Sequence, residues 1–192
     1  NSCGDGAFLT EIVRRYCASF LTQKQDLSKL KHELETYIHG IELDAVECDK
    51  CILNLNKVVE EYGISKVKWD ITNADTLTVD RFNAKMDYVI GNPPYVRVHN
   101  LEDSYEIVKK FKLAEGGMTD LFIVFFEIGF NMLAKSGLMC LITPSSWLGS
   151  LAGIHLRQYI HTHQNLSGVI DLEHFQPFEA TTYTFISRFS KS

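Results

Sequence analysis

No stretch of this chain approaches the roughly 20 consecutive apolar residues that a helix needs to cross a bilayer. No membrane-spanning helix is therefore expected within these residues. The N-terminus lacks a basic region leading into an apolar core, so no secretory leader is read there. Cysteine is sparse. Five thiols in 192 residues, an odd number without the density of a disulfide scaffold, suit a reducing cytosol and point to a cytoplasmic protein. Positive charge is short as well: 19 Lys and Arg against 24 Asp and Glu leave a net charge of −5, which argues against binding nucleic acid through bulk charge. The acids are unevenly spread. None lies between Glu127 and Asp171, where Lys135, His155, Arg157, His161 and His163 fall. That half can face phosphate without strong repulsion, yet two full positive charges do not make a DNA-binding patch. If the partner is duplex DNA, most phosphate contacts come from elsewhere.

Proline is also scarce, four residues in all, and two of them stand side by side in the stretch that organises the chain, Met86-Asp87-Tyr88-Val89-Ile90-Gly91-Asn92-Pro93-Pro94-Tyr95. Asp87 through Ile90 have strand character, and Tyr88, Val89 and Ile90 all favour a buried, pleated setting. Pro93 and Pro94 then forbid continuation, since each lacks a backbone N–H and has φ held near −65°. Asn92 is kept out of helical geometry by the proline after it. The result is a rigid polar tip at the carboxyl end of a strand, where ligands bind in open parallel sheets. Its chemistry suits a poor nucleophile, an amino group whose lone pair is delocalised into an aromatic ring. The side-chain oxygen of Asn92 and the main-chain oxygen of Pro93 can each accept one N–H, localising the lone pair and aiming it outward. Tyr95 offers a face on which the same ring can stack.

The rest reads as alternating strands and helices within one domain spanning residues 1–192, with 45% hydrophobic residues to fill a core. Gly4-Asp5-Gly6 opens a helix marked by Phe8, Ile12, Val13, Tyr16, Cys17 and Phe20. Glycines at such a start let a cofactor approach the backbone, although alone they also describe a plain helix N-terminus. No strand precedes them, so the chain reads as part of a larger protein. An amphipathic helix from Asp26 to Tyr37 carries Leu27, Leu30 and Leu34. His39 to Asp44 is a brief strand ending in carboxylates, with Glu42 the candidate for ribose hydroxyls and Asp44 the cap of the next helix. That helix runs from about Ala45 to Tyr62, stopped by Gly63. Its Cys48-x-x-Cys51 pair lies on the core-facing stripe and no second pair exists, so it is assigned to the core and no metal site is predicted. A third strand is expected at Val67–Ile71, with Asp75 beyond it either a turn residue or an acceptor for an adenine amino group. Val96 to Met118 is a polar, mobile-looking connection. An all-round apolar helix follows from Asp120 to Ala134, then a strand at Gly137–Thr143, a helix at Gly153–His163, a strand at Gly168–Leu172 and a last strand at Thr182–Phe189. His161 and His163 read as surface.

Taken in order, Gly-x-Gly, Glu42, Asp75, Asn-Pro-Pro-Tyr, Asp120-Leu121-Phe122, Pro144-Ser145-Ser146-Trp147 and Phe178-Glu179-Ala180 resemble the catalytic domain of the gamma-group N6-adenine DNA methyltransferases of type II restriction–modification systems. The resemblance implies an α/β, Rossmann-like class I fold: a mostly parallel sheet with an antiparallel last strand and a truncated first strand, which brings the glycine loop and the Asn92 tip to one rim. It implies S-adenosyl-L-methionine as cofactor, with Cys3, Gly4 and Gly6 at its methionine end, Glu42 on the ribose and Leu43 against the adenine. Asp75 would accept from the adenine amino group, the Thr76 N–H would meet the ring, and Phe125 or Phe122 would complete the pocket. Asn92, Pro93, Pro94 and Tyr95 would be catalytic, Asn92 also bordering the cofactor, and Tyr95 and Phe178 would stack on a flipped base. The ring rather than the hydroxyl of Tyr95 would matter, so Tyr95→Phe would keep most activity.

The partner implied is double-stranded DNA with adenine in a short recognition site, bound mostly through regions outside this chain, with an endonuclease linked or separate. Two departures stand out. The acid and proline that usually precede the cysteine are absent, with Asn1 where the proline would be, and the segments upstream of the first motif and beyond Ser192 are missing. Protein glutamine-N5 methylation, RNA adenine methylation and a non-catalytic subunit that keeps the fold are the alternatives.

Overall fold

A left-handed glycine starts the first helix. Gly6 has φ +87°, and α1 (Ala7–Thr22) follows it with Val13, Cys17 and Phe20 buried, one stripe of the spacing expected. The computed structural model describes residues 2–23, 26–98, 105–115, 119–163, 165–173, 175 and 183–191. The chain divides into two units, Asn1–Thr76 and Leu77–Ser192.

In the first unit α2 (Leu27–Tyr37) is capped by Asp26, which accepts from the Ser28 N–H at 3.0 Å. Leu30 and Leu34 reach the core, whereas Leu27, in the first turn, is left exposed. Strand β1 (His39–Glu42) leads into α3 (Ala45–Glu60), capped as predicted by Asp44 through the Val46 and Glu47 N–H groups at 2.7 and 3.3 Å. Helices α1, α2 and α3 share a core of Val13, Cys17, Leu30, Leu34, Cys51 and Leu55. Strand β2 (Asp70–Asn73) pairs in parallel with β1, from His39 opposite Asp70 to Glu42 opposite Asn73. It starts three residues later than Val67 because its partner starts only at His39, whose Nδ1 meets Asp70 Oδ2 at 2.7 Å on the first rung. Val67 fills the core ahead of the ladder.

The second unit is a sheet of β3 (Met86–Gly91), β4 (Leu133–Pro144), β5 (Leu166–Asp171) and β6 (Thr184–Ser190), ordered β3-β4-β6-β5. Strands β3 and β4 are parallel, and β6 runs antiparallel to β4 and β5, so the expected antiparallel last strand is present. Burial along β3 alternates: Val89 is buried while Tyr88 and Ile90 are exposed, which corrects the expectation that all three are covered. A one-turn helix α4 (Tyr105–Val108) and a 3₁₀ turn at Lys112–Ala114 lie within the connection read as polar and mobile-looking, and Val98, Val108, Leu113 and Ala114 among its residues are buried. Residues 99–104 and 116–118 of that connection lie outside the described set.

Helix α5 (Leu121–Met132) is buried on nearly every face, as its composition demands. Phe126 meets Trp147 and Phe189 edge-on at 5.9 and 5.6 Å, and Phe130 meets Phe189 at 5.3 Å. The chain passes from α5 into β4 without a loop, so β4 begins at Leu133 rather than Gly137. The ladder jumps there from Met86 opposite Leu133 to Tyr88 opposite Leu138, around a left-handed Ser136. Helix α6 (Ile154–His163) matches its expected span, and His161 and His163 are exposed. Among the described residues no helix is long and apolar enough to cross a membrane.

Candidate active site

The first unit gathers most of the predicted cofactor residues at the ends of β1 and β2. Gly4 sits at φ +53° with nothing within 4 Å of where a Cβ would stand, so its outer side is open. A Cβ on Gly6 would lie 2.7 Å from Cys51 Sγ, and φ +87° disfavours one there in any case. The Gly4 N–H donates to Glu42 Oε2 at 2.8 Å, while Leu43 and Asp44 N–H donate to Oε1 at 2.8 and 3.1 Å. Three backbone donors thus hold the carboxylate at the end of β1 in one orientation. Leu43 beside it is exposed. Asp75 is half-buried, and Thr76 is buried at the start of a 3₁₀ turn through Thr78. An oriented carboxylate, an open glycine backbone and a bare apolar side chain fit a nucleoside with ribose hydroxyls and a flat ring.

Asn73 went unnoticed in the sequence, although it stands opposite Glu42 in the ladder. Its amide donates to the Glu42 carbonyl at 3.1 Å and the Leu43 carbonyl at 2.7 Å, pinning the turn that presents both residues. Asn54 does the same for the glycine loop, donating to the Asp5 carbonyl at 3.0 Å.

The second unit carries the Asn92 tip. Strand β3 ends at a buried Gly91 opposite Leu141, and the prolines carry the chain out of the sheet. Pro93 is buried and Asn92 and Pro94 half-buried. Among the described residues Asn92 Oδ1 is buried with no hydrogen-bond partner, as are the hydroxyls of Thr119 and Thr143. A buried acceptor left unpaired costs about 1–3 kcal/mol, so Oδ1 is poised for a donor that arrives from outside the chain.

Tyr95 is held at its hydroxyl as well as at its ring. Its hydroxyl donates to the Ile142 carbonyl at 3.1 Å, its ring meets Phe122 edge-on at 6.3 Å, and burial pushes its pKa up to about 12. The hydroxyl therefore tethers the ring to β4, which no local sequence signal announced. Beyond Tyr95 the chain is fastened to the start of α5: Leu121 N–H donates to the Val96 carbonyl at 2.8 Å, and Val98 N–H to the Thr119 carbonyl at 3.2 Å. This joins the Asp120-Leu121-Phe122 motif to the Asn92 tip. Phe122 and Phe125 are both buried on α5. Phe178 lies outside the described residues.

Residues 9–178 match the model of the Eco57I restriction-modification methylase family. The chain belongs to that family. Among relatives of this Eco57I-type chain, type II methyltransferase M.BstVI of Geobacillus stearothermophilus is 32% identical over 190 residues, covering 93% of this chain and 34% of that protein. Type II methyltransferase M.XhoI of Xanthomonas vasicola is 25% identical over 193 residues, covering 96% and 35%. The chain thus spans about a third of the length of these relatives. A Listeria monocytogenes protein assigned to the class I S-adenosylmethionine-dependent methyltransferases superposes with a TM-score of 0.68 at 18% identity, over 100% of this chain and 52% of that one. A nuclease-deletion mutant of the type ISP restriction–modification enzyme LlaGI, solved with a DNA substrate mimic, gives 0.77 at 15% identity over 99% and 20%. The fold of this Eco57I-family chain is therefore class I.

Proposed function

We propose that residues 1–192 act as one catalytic domain of a restriction–modification DNA methyltransferase that methylates the N6 amino group of a flipped adenine. The observation that carries this reading is the buried Oδ1 of Asn92, without a partner among the described residues, on a tip made rigid by Pro93 and Pro94. S-adenosylmethionine, when bound, supplies a sulfonium-activated methyl group as the electrophile. Glu42 would accept from its ribose hydroxyls, Leu43 and Phe125 would border its adenine, and Asp75 and the Thr76 N–H would read the edge of that ring. Cys3, Gly4 and Gly6 line its methionine end.

An adenine within a duplex cannot reach the tip, so the base leaves the stack at a cost of a few kcal/mol. Stacking on Tyr95 and Phe178 offsets part of that cost at about 1–3 kcal/mol per base. Asn92 Oδ1 and the Pro93 carbonyl accept the two amino N–H groups, which restores the nitrogen lone pair to its own atom and directs it outward. The neutral amino nitrogen, with its lone pair so directed, would be the nucleophile towards that activated methyl group, and its surplus proton would leave afterwards. No general base is needed beforehand. Contacts to phosphate and to the recognition site come mostly from regions beyond this chain, and an endonuclease, linked or separate, completes the system in the cytoplasm.

The test uses the full-length protein with methyl-labelled S-adenosylmethionine and duplex DNA, reading N6-methyladenine by mass spectrometry, with RNA and a glutamine peptide as parallel substrates. Label in duplex adenine that disappears in Asn92→Ala supports the reading. Label in RNA or in the peptide, with none in DNA, overturns it.

A further inference from the structure

The edge of the second sheet that carries Asn92 is rimmed with apolar side chains. Strands β3, β4 and β5 run in one direction and β6 in the other, so three carboxyl ends and the start of β6 share that edge. Val96 follows β3, Leu148, Leu151 and Ile154 follow β4, Phe175 follows β5, and Tyr183 precedes β6. All are exposed, Leu151 most of all at 79%. Among the described residues of this unit, the other exposed large apolar side chains stand on the strands themselves, and none lies beyond the opposite edge. Hydrogen bonds draw the rim together. Ser145 N–H donates to the Tyr183 carbonyl at 2.9 Å, Leu172 N–H to the Thr184 carbonyl at 3.2 Å, and the Tyr95 hydroxyl ties the Asn92 tip to Ile142, near the end of β4.

The segment after β4 is held from behind. Arg157, on α6, donates through Nη1 to the Trp147 carbonyl at 2.6 Å and the Ser150 carbonyl at 2.8 Å. Ser150 N–H donates to the Ser146 carbonyl at 2.9 Å, and Ile154 N–H to the Leu151 carbonyl at 3.1 Å. A Cβ on Gly153 would collide with the Trp147 carbonyl, and Trp147 itself is buried edge-on to Phe126. Leu151 is thus the exposed crest of a turn fixed on both sides.

Such a rim does not suit the phosphate ladder on the outside of a duplex. Arg157 is the one Lys or Arg between Lys135 and Arg188, and it is committed to backbone carbonyls. Base faces are flat and apolar, but a closed duplex hides them in its stack. Removing one adenine bares the faces of the neighbouring pairs, and leucine is among the side chains that proteins insert between base steps. Position selects Leu151 over Phe175. The latter follows β5, last in the strand order from Asn92 and beside the acids Asp171 and Glu173, whereas β4 is the neighbour of β3 and its segment has no acid.

We infer that Leu151 is a wedge, entering the duplex at the step the target adenine vacates and covering the base faces bared there. This rests on the function proposed above and deepens it, since it names what replaces the flipped base. The wedge matters only while a paired adenine must be opened. Its loss should therefore be repaired by a substrate that is already open.

The experiment uses the full-length protein and two duplexes containing the methylated site, one fully paired and one with an abasic residue opposite the target adenine. Single-turnover methylation by Leu151→Ala should fall about tenfold or more on the paired duplex and stay within about twofold of wild type on the open one. Leu151→Met, apolar and of similar length, should recover most of the paired-duplex rate. Affinity for S-adenosylmethionine should be unchanged in both variants. With 2-aminopurine at the target position, the rise in fluorescence on binding should shrink in Leu151→Ala. Equal losses on the two duplexes, no loss on either, or an undiminished fluorescence rise overturns the wedge and leaves the proposed function standing. Wild-type protein that methylates adenine in neither duplex overturns the proposed function, and the wedge with it.

Discussion

Replacing Tyr95 by Phe removes one oxygen and tests the tether directly. The hydroxyl donates to the Ile142 carbonyl at 3.1 Å, while the ring's edge-on contact with Phe122 does not involve it. A net hydrogen bond contributes about 0.5–1.5 kcal/mol, so the variant should lose about 1 kcal/mol of stability, or roughly 2–4 °C in Tm for a chain of this size. A ring freed from its tether still stacks, and if the whole loss fell on the transition state the rate would drop about fivefold. Tyr95→Ala loses the stacking face as well and should fall a further tenfold or more. The pH dependence supplies an independent check. Because burial pushes the Tyr95 pKa up to about 12 from the ordinary value near 10, the folded form holds its proton where the unfolded chain releases it. Its contribution to stability is therefore full below pH 10 and is lost as pH climbs from about 10 to 12. The difference in Tm between the two proteins should shrink over that window. Thermal melts as a function of pH, and single-turnover methylation with labelled cofactor in the full-length enzyme, measure both effects. Equal damage from Tyr95→Phe and Tyr95→Ala in the methylation assay would refute the reasoning, because the hydroxyl would then carry more than a tether.

Asn92→Ala should abolish methyl transfer while leaving S-adenosylmethionine affinity nearly unchanged by calorimetry, since the amide acts chiefly on the reacting base; near wild-type rates would defeat the proposed chemistry. Glu42→Ala removes the acceptor of three backbone N–H groups as well as the ribose partner, so affinity should fall about tenfold or more, with a lower Tm alongside. Equal affinity by calorimetry would take Glu42 out of the site. Gly6→Ala forces a side chain into the left-handed region, at about 1–2 kcal/mol, and against Cys51 Sγ. Urea unfolding should show the loss, and adding Cys51→Ala should recover only the part due to the clash.

Much of the fold was legible because its signals are local. Asp26 and Asp44 announce their helices by capping chemistry, Gly63 ends α3 in the left-handed region, and the apolar run of α5 had to be buried. Strand limits were less legible, because a ladder begins where both partners do: β2 waits for His39. Burial on β3 was misread since Tyr88 and Ile90 share a β-propensity with Val89 but point to the opposite face. At the site, Glu42 and Asn92 were visible as polar residues at strand ends. The supports around them were not, because Asn73 reaches Glu42, Asn54 reaches Asp5 and the Ile142 carbonyl reaches Tyr95 across 31, 49 and 47 residues of chain.

The unpaired oxygen of Asn92 also bears on how often one base is modified. On the proposed function, adenine would bring two N–H bonds to two acceptors, Asn92 Oδ1 and the Pro93 carbonyl. N6-methyladenine brings one. The product leaves an acceptor unmet, at about 1–3 kcal/mol, and is held about ten- to a hundredfold more weakly than the substrate at that tip. Turnover and restriction to a single methyl group would then share one origin, a count of acceptors that matches the proposed substrate and not its product.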